Sequence, residues 1–280
     1  DIKSKVDEII QNKEKLKELD DVKKKADDAL KEIERLKIEL AKSKSEAEQL
    51  KLSKDYNKQT DVLSASDWFT KGYNAQENEQ YDKALSYYLR CIELNPEHFI
   101  SYNNMGLIYY DKGEYDKALS YYLRCIELNP EYTLAYNNIG LIYDDKGEDD
   151  NAIKLYKKAI ELNPEYAPAY SNMGNSYQKK GEDYNAIKSY KKAIEINPEF
   201  ATAYGNMGVV YKNKGEDDNA IKLYKKAIEI NPEYAEAYHN MGVAYHNKGN
   251  FDTALYYYKK AARLGSKPTQ KWLKENGYDW

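Results

Sequence analysis

Residues 99–132 read FISYNNMGLIYYDKGEYDKALSYYLRCIELNPEY, and the next 34 residues, 133–166, read TLAYNNIGLIYDDKGEDDNAIKLYKKAIELNPEY. The Asn-Pro near the end of each stretch decides the fold. It recurs at Pro96, Pro130, Pro164, Pro198 and Pro232, always 34 residues apart. A fixed period of that size marks one supersecondary unit stacked on copies of itself. Registers that start at Ala65, Phe99, Thr133, Ala167, Ala201 and Ala235 align six repeats column by column.

Two columns are small. Gly72, Gly106, Gly140, Gly174, Gly208 and Gly242 occupy the eighth position, and Ala84, Ala118, Ala152, Ala186, Ala220 and Ala254 the twentieth. Two antiparallel helices approach closely only where the facing side chains are minimal, with larger neighbours filling the remaining space. Tyr102, Tyr136, Tyr170, Tyr204 and Tyr238 at the fourth position, with Tyr109, Tyr143, Tyr177, Tyr211 and Tyr245 at the eleventh, are the expected fillers. Lys-Gly pairs ending at Gly113, Gly147, Gly181, Gly215 and Gly249 provide a left-handed stop for each first helix. Each second helix must end before Asn-Pro, because proline constrains the residue ahead of it and cannot extend the hydrogen-bond ladder.

The pattern Tyr102, Met105-Gly106, Tyr109, Ala118, Tyr122, Cys125, Pro130 resembles the tetratricopeptide-repeat (TPR) family. The resemblance covers residues 65–266 as repeats 65–98, 99–132, 133–166, 167–200, 201–234 and 235–266. It implies an all-α, right-handed solenoid of helical hairpins. The first repeat departs from the pattern at Lys71, Ala75 and Glu79, as suits a unit with one face in solvent. Segments 81–97 and 115–131 are identical, and 147–167 matches 215–235 except at Leu162 and Ile230. Such identity fits duplication of a stacking unit. Gly265 and Pro268 end the pattern, and Thr269 to Asn276, with Trp272 at the fourth position of a would-be seventh repeat, reads as a capping helix within 267–280.

Composition agrees with a thin, layered molecule. Four Phe and three Trp accompany thirty Tyr, a residue that buries its ring while keeping its hydroxyl wet. Charged residues make up 32% of the chain, yet the net charge is −4, too little for a field that steers nucleic acid or anionic membrane. Cys91 and Cys125 are too few for a disulfide framework and read as buried thiols in a reducing, cytoplasmic-type compartment. No apolar run approaches the roughly 18 residues of a membrane span. The chain opens at Asp1 without a Met and so reads as a fragment, which leaves open that it is the recruitment arm of a larger enzyme.

Residues 1–52 contain no Gly, Pro or aromatic residue. From Leu19 the series Val22, Ala26, Ala29, Ile33, Leu36, Leu40, Ser43, Ala47 and Leu50 steps by three and four, the spacing of a coiled coil. A parallel homodimer through 1–52 is the leading reading; a solvated single helix, or one folded back on the solenoid, are the alternatives. Residues 53–64 form a polar linker, and Ser64 with Asp67 reads as the cap of the first repeat helix.

In this family the first helices line the concave side, so the resemblance directs attention to positions two, five, six, nine, twelve and thirteen. Asn104, Asn138, Asn172, Asn206 and Asn240 fill the sixth position, joined by Asn103 and Asn137 at the fifth and Asn175 at the ninth. A carboxamide offers donor and acceptor together and can track the backbone of an extended peptide whatever its side chains. The column resembles the asparagine ladder in the repeat region of O-linked N-acetylglucosamine transferase. On this reading the asparagines serve partner capture and contribute little to stability; the alternative is that they bond the next hairpin. Ile100, Leu107, Tyr110, Leu134 and Leu141 make the first half of the groove apolar beside Asp111, Asp144 and Asp145, while Lys179, Lys212, His239 and His246 come later. A partner segment with basic and apolar residues is expected against repeats two and three.

The family's clamp for the acidic tails of heat-shock chaperones needs Lys and Arg at positions two, five and six. Here those positions hold Ser66, Phe69, Thr70, Ile100, Asn103, Asn104, Leu134 and Asn137, which excludes it. Lys157-Lys158, Lys191-Lys192, Lys225-Lys226 and Lys259-Lys260 could form a basic stripe, but Glu161, Glu195 and Glu229 follow the first Lys of three pairs by four residues and are expected to neutralise it. His239 and His246 lack a third ligand at metal spacing. No phosphate-binding Gly loop and no nucleophile-base constellation interrupts the repeats. The expectation is a protein-binding adaptor without cofactor, metal or enzyme chemistry; the competing reading is a structural subunit that assembles through its coiled coil and convex face.

Overall fold

The computed structural model describes residues 63–280, so the heptad segment, the homodimer expected from it and most of the linker lie outside the described residues. Within this span the chain forms thirteen α-helices: α1 (Ala65–Glu77), α2 (Tyr81–Leu94), α3 (Phe99–Asp111), α4 (Tyr115–Leu128), α5 (Thr133–Asp145), α6 (Asp149–Leu162), α7 (Ala167–Lys179), α8 (Asp183–Ile196), α9 (Ala201–Asn213), α10 (Asp217–Ile230), α11 (Ala235–Asn247), α12 (Phe251–Arg263) and α13 (Lys267–Glu275). They pack as six consecutive hairpins, α1 with α2 through α11 with α12, each resting on the next, and α13 covers the last.

Both kinds of turn follow from their residues. Ser64 and Asp67 close a reciprocal capping box at the start of α1. Gly113, Gly147, Gly181, Gly215 and Gly249 follow the first helices with φ of +72° to +75°. The amide after each glycine bonds back across the helix end, as Glu114 N donates to the Tyr109 carbonyl at 2.8 Å. Between repeats the asparagine does as much as the proline. Asn129 leaves the helix in extended backbone, φ −139° and ψ 91°, and its side-chain oxygen accepts from the Glu131 amide at 3.1 Å. Asn95, Asn163, Asn197 and Asn231 make the same turn.

The space between paired helices is filled by a different tyrosine from the ones the columns suggested. A Cβ built on Gly72, Gly106, Gly140, Gly174, Gly208 or Gly242 would lie 2.5–2.6 Å from ring atoms of Tyr88, Tyr122, Tyr156, Tyr190, Tyr224 or Tyr258, the twenty-fourth residue of the same repeat. Five of these rings are essentially inaccessible. Tyrosines of the fourth and eleventh positions stay half-buried at the seam, where Tyr109 stacks on Tyr121 and Tyr245 on Tyr257. Position twenty-four was the better filler because a ring there crosses the interface directly over the missing Cβ. Ala84, Ala118, Ala152, Ala186 and Ala220 are fully buried, as are Cys91 and Cys125. Ser101 Oγ lies 3.2 Å from Cys91 Sγ, and burial pushes the Cys125 thiol up to about 12.

Successive repeats are tied along one edge by ion pairs at a fixed spacing: Lys112 with Asp82 at 2.7 Å, Lys146 with Asp116 at 3.1 Å, Lys180 with Asp150 at 2.7 Å, and Lys248 with Asp218. The fourth repeat places Tyr184, 79% exposed, where the others have Asp, so Lys214 turns to Glu216 of its own repeat instead. On the second helices the carboxylates pair with the second lysine of each doublet, Lys158–Glu161, Lys192–Glu195 and Lys226–Glu229. The step is three residues where the four-residue step from the first lysine was expected. In α13, Thr269 and Leu273 are buried while Trp272 lies over Tyr258, ring centroids 4.9 Å apart, with its outer face in solvent.

Two substitutions test this packing. Gly140→Ala must displace the wedged Tyr156 ring; overpacking of about 1–3 kcal/mol exceeds the roughly 1 kcal/mol of helix propensity that alanine adds, and urea denaturation is expected to show a net loss. Glu79 holds the left-handed turn with φ 57° where later repeats use glycine. Glu79→Gly relieves about 1–2 kcal/mol of backbone strain against a smaller entropic cost, so the melting temperature should rise.

Candidate peptide-binding groove

The first helices α3, α5, α7, α9 and α11 lie side by side, and the residues expected to form the site sit on them. The structure brings the asparagines together, but with one another. Asn138 Nδ2 donates to Asn103 Oδ1 at 3.2 Å across the α3–α5 boundary, and Asn172 Nδ2 to Asn137 Oδ1 at 3.0 Å across the next. Asn206 Nδ2 donates to Asn175 Oδ1 at 2.9 Å, an oxygen that also accepts from the Tyr190 hydroxyl. At the two ends, Asn104 Nδ2 donates to the Tyr88 hydroxyl at 3.1 Å and Lys212 Nζ to Asn240 Oδ1 at 3.3 Å.

The expectation that these side chains contribute little to stability is therefore corrected. Asn103, Asn137, Asn138 and Asn240 are buried; Asn138 donates to Asn103 across repeats and accepts from Asn137 within its own, Asn137 accepts from Asn172, and Asn240 accepts from Lys212. A buried carboxamide without a partner is costly, which fixes the orientation of each. The reason is geometric: parallel neighbouring helices place the sixth position of one repeat against the fifth of the repeat before it. Asn172 and Asn206 remain half-buried, and their side-chain oxygens accept no hydrogen bond from the described residues. The apolar groove residues are likewise shared with the core. Leu107 packs against the cluster of Tyr122, Ile139 and Ile142, and Leu141 against that of Ile153, Tyr156 and Met173. Leu134, at position two, is 41% exposed.

The charged residues also divide. Asp144, 8% exposed, accepts from Ser176 Oγ at 2.8 Å and lies 3.3 Å from Lys179 Nζ. Asp145 is exposed and accepts from the hydroxyls of Tyr110 at 2.7 Å and Tyr115 at 3.3 Å. Burial, then that bond to Asp145, raises the Tyr110 hydroxyl above its ordinary range. Asp149 joins the same cluster, its carboxyl raised by burial and by the neighbouring Asp144. Farther along, burial lowers the Lys212 ammonium. His239 Nδ1 lies 2.8 Å from Thr269 Oγ1 of the cap, and His246 packs edge-on against Phe251, so the two histidines are engaged separately. Sequence reading missed Tyr115, Asp149, Tyr156 and Ser176; two adjacent aspartates, Asp144-Asp145, where no other repeat has a pair of them, were the available signal.

Asn138→Ala should leave Asn103 Oδ1 without a donor and Asn137 Nδ2 without its acceptor. A loss of about 1–3 kcal/mol is expected in urea denaturation.

The comparisons agree with this architecture. Models described as tetratricopeptide repeat match residues 99–132, 167–200 and 235–266, residues 65–98, and residues 189–222, and one described as TPR repeat matches 141–181 and 212–249. A crystal structure of MamA is similar at 34% identity and a TM-score of 0.51, covering 59% of this chain and 97% of that one. YrrB, described as a TPR protein with an unusual peptide-binding site, is similar at 26% identity and a TM-score of 0.50, covering 67% and 97%. PilF of Pseudomonas aeruginosa shares the fold at 16% identity and a TM-score of 0.65, covering 75% and 97%. No match is found among curated proteins. With repeat models running over most of its helical hairpins, the chain belongs to the tetratricopeptide-repeat family.

Proposed function

We propose that this protein is a non-catalytic interaction scaffold whose first helices receive an extended peptide segment of a protein partner. One observation carries the reading. The first helices are cross-linked by side-chain bonds at every step from α3 to α9, through Asn138–Asn103, Asn172–Asn137 and Asn206–Asn175. A layer braced in this way is preorganised, so a ligand does not have to order it on binding. Along that layer the oxygens of Asn172 and Asn206 are left for a peptide N–H, and Leu134 offers an apolar contact. The asparagine ladder thus has two uses in this reading: amide nitrogens brace the repeats, and two of the carbonyl oxygens meet the ligand. The likeness to YrrB, whose description names a peptide-binding site, supports the same class of partner.

Among the described residues no helix is long and apolar enough to cross a membrane. Two fully buried free thiols fit a reducing compartment.

Random twelve-residue peptides displayed on phage and selected on the full chain test the proposal. Selected peptides are expected to lose at least about tenfold in affinity on a double variant of Leu134→Glu and Thr202→Glu, the exposed residue at the same second position of the fifth repeat, since contacts at a groove centre dominate binding, and to bind the Tyr184→Glu variant unchanged. Peptides that ignore the groove substitutions and respond to Tyr184→Glu would reverse the assignment.

A further inference from the structure

The outward side of the second helices changes character along the solenoid. Two columns carry the change, the twenty-second and the twenty-fifth of each repeat. They stand two residues before and one residue after the wedged tyrosine, so at about 100° per residue both turn away from the first helix that the ring touches. In the first two repeats they hold Ser86 with Leu89 and Ser120 with Leu123. From the third to the fifth they hold lysine alone: Lys154 and Lys157 on α6, Lys188 and Lys191 on α8, Lys222 and Lys225 on α10. All six are exposed.

None of the six forms an ion pair among the described residues, because the carboxylates beside them already have partners. Glu161, Glu195 and Glu229 bond Lys158, Lys192 and Lys226, the second lysine of each doublet. Asp150 and Asp218, one turn ahead of Lys154 and Lys222, bond Lys180 and Lys248 of the following repeats. In the fourth repeat that place holds the exposed Tyr184, so Lys188 has no carboxylate one turn ahead of it. The glutamates expected to neutralise the lysine doublets thus neutralise one lysine of each. Like charges one turn apart weaken a helix. The hairpin frame does not require them, since serine and leucine fill the same columns in the first two repeats around the same wedged tyrosine. A block of like charge without internal compensation is therefore confined to three consecutive repeats of a chain whose net charge is −4.

We propose that the outward side of α6, α8 and α10 docks an acidic polypeptide segment, rich in Asp and Glu, on these two rows of lysines. Charge complementarity selects an anion, and the composition of the block selects its kind. An ammonium group is a point charge on a flexible stem, suited to carboxylates that arrive without a fixed conformation. A single-stranded nucleic acid is held by basic residues with aromatic platforms under successive bases, and Tyr184 is the one exposed large aromatic residue on these three helices. A membrane surface takes up apolar side chains beside the basic ones, and the two columns contain none in these repeats. The surface lies on the second helices, the groove on the first. It adds a second partner to the scaffold and does not rest on the groove reading.

The test uses the full chain and a fluorescein-labelled peptide of twelve glutamates, with twelve glutamines as control. Anisotropy at physiological salt should show saturable binding of the glutamate peptide, at least about tenfold weaker binding of the glutamine peptide, and an affinity that falls as salt rises. The triple variant Lys157→Gln, Lys191→Gln, Lys225→Gln is expected to weaken the acidic peptide at least about tenfold, and Lys154→Gln, Lys188→Gln, Lys222→Gln likewise. Glutamine matches lysine in helix propensity, and circular dichroism checks that both variants are folded. Lys267→Gln, Lys271→Gln, Lys274→Gln removes the same charge from α13, outside the block, and should leave the affinity within about twofold. Equal losses from this third variant, or no loss from the first two, would overturn the proposal, because the peptide would then sense net charge or another surface. Tighter binding of a twelve-nucleotide oligothymidylate than of the glutamate peptide would assign the lysines to a phosphate polymer. Cosedimentation with phosphatidylserine vesicles, abolished by the first two variants, would assign them to a lipid surface. Either result overturns the acidic polypeptide as the occupant.

Discussion

The contact on which the rest of this structure depends is a tyrosine ring pressed against a glycine that has no side chain. In each hairpin the ring of the twenty-fourth residue occupies the space a Cβ at the eighth would need. This sets the separation of the two helices, and through it the position of every other column. Because the ring is rigid and its hydroxyl points beyond the apolar layer, the same contact that closes the core delivers a polar atom toward the face lined by the first helices. Fold and candidate site are therefore coupled at one residue. The alanines of the twentieth position and the small residues of the twenty-seventh, Cys91, Cys125 and Ala159 among them, are buried as this spacing demands.

Much of this was legible in the sequence because the determinants are local. A 34-residue Asn-Pro period, a left-handed glycine after the first helix of the last five repeats and the Ser64–Asp67 box all act within a few residues of themselves, and each is found where the pattern put it. What was not legible depended on distance across helices. The identity of the wedging tyrosine requires knowing which turn of the second helix faces the glycine. The fate of the asparagines requires the phase between successive repeats, which no single repeat encodes. The groove therefore read as a row of free carboxamides when each of them makes at least one hydrogen bond within the protein. Even the lysine doublets show the limit: a three-residue step and a four-residue step are both available on a helix, and side-chain direction chose the former.

The twelfth column separates the part of the repeat that is fixed from the part that varies. Gln76, Tyr110, Asp144, Gln178, Lys212 and His246 differ in charge and size, yet they stand on a nearly constant frame. Apolar positions show the opposite economy, since Leu107 and Leu141, expected from sequence to line the groove, pack against the core.

The row of lysine–aspartate pairs along the turn edge has a mechanical side. Each pair acts as a strut between adjacent hairpins, and the row is interrupted where Tyr184 replaces the aspartate. Between the fourth and fifth repeats that strut is missing, since Lys214 pairs with Glu216 of its own repeat, and the inner Asn206–Asn175 bond crosses the joint. A coil of stacked hairpins flexes where its outer bracing is absent. The joint between the fourth and fifth repeats therefore carries one brace fewer than its neighbours on either side.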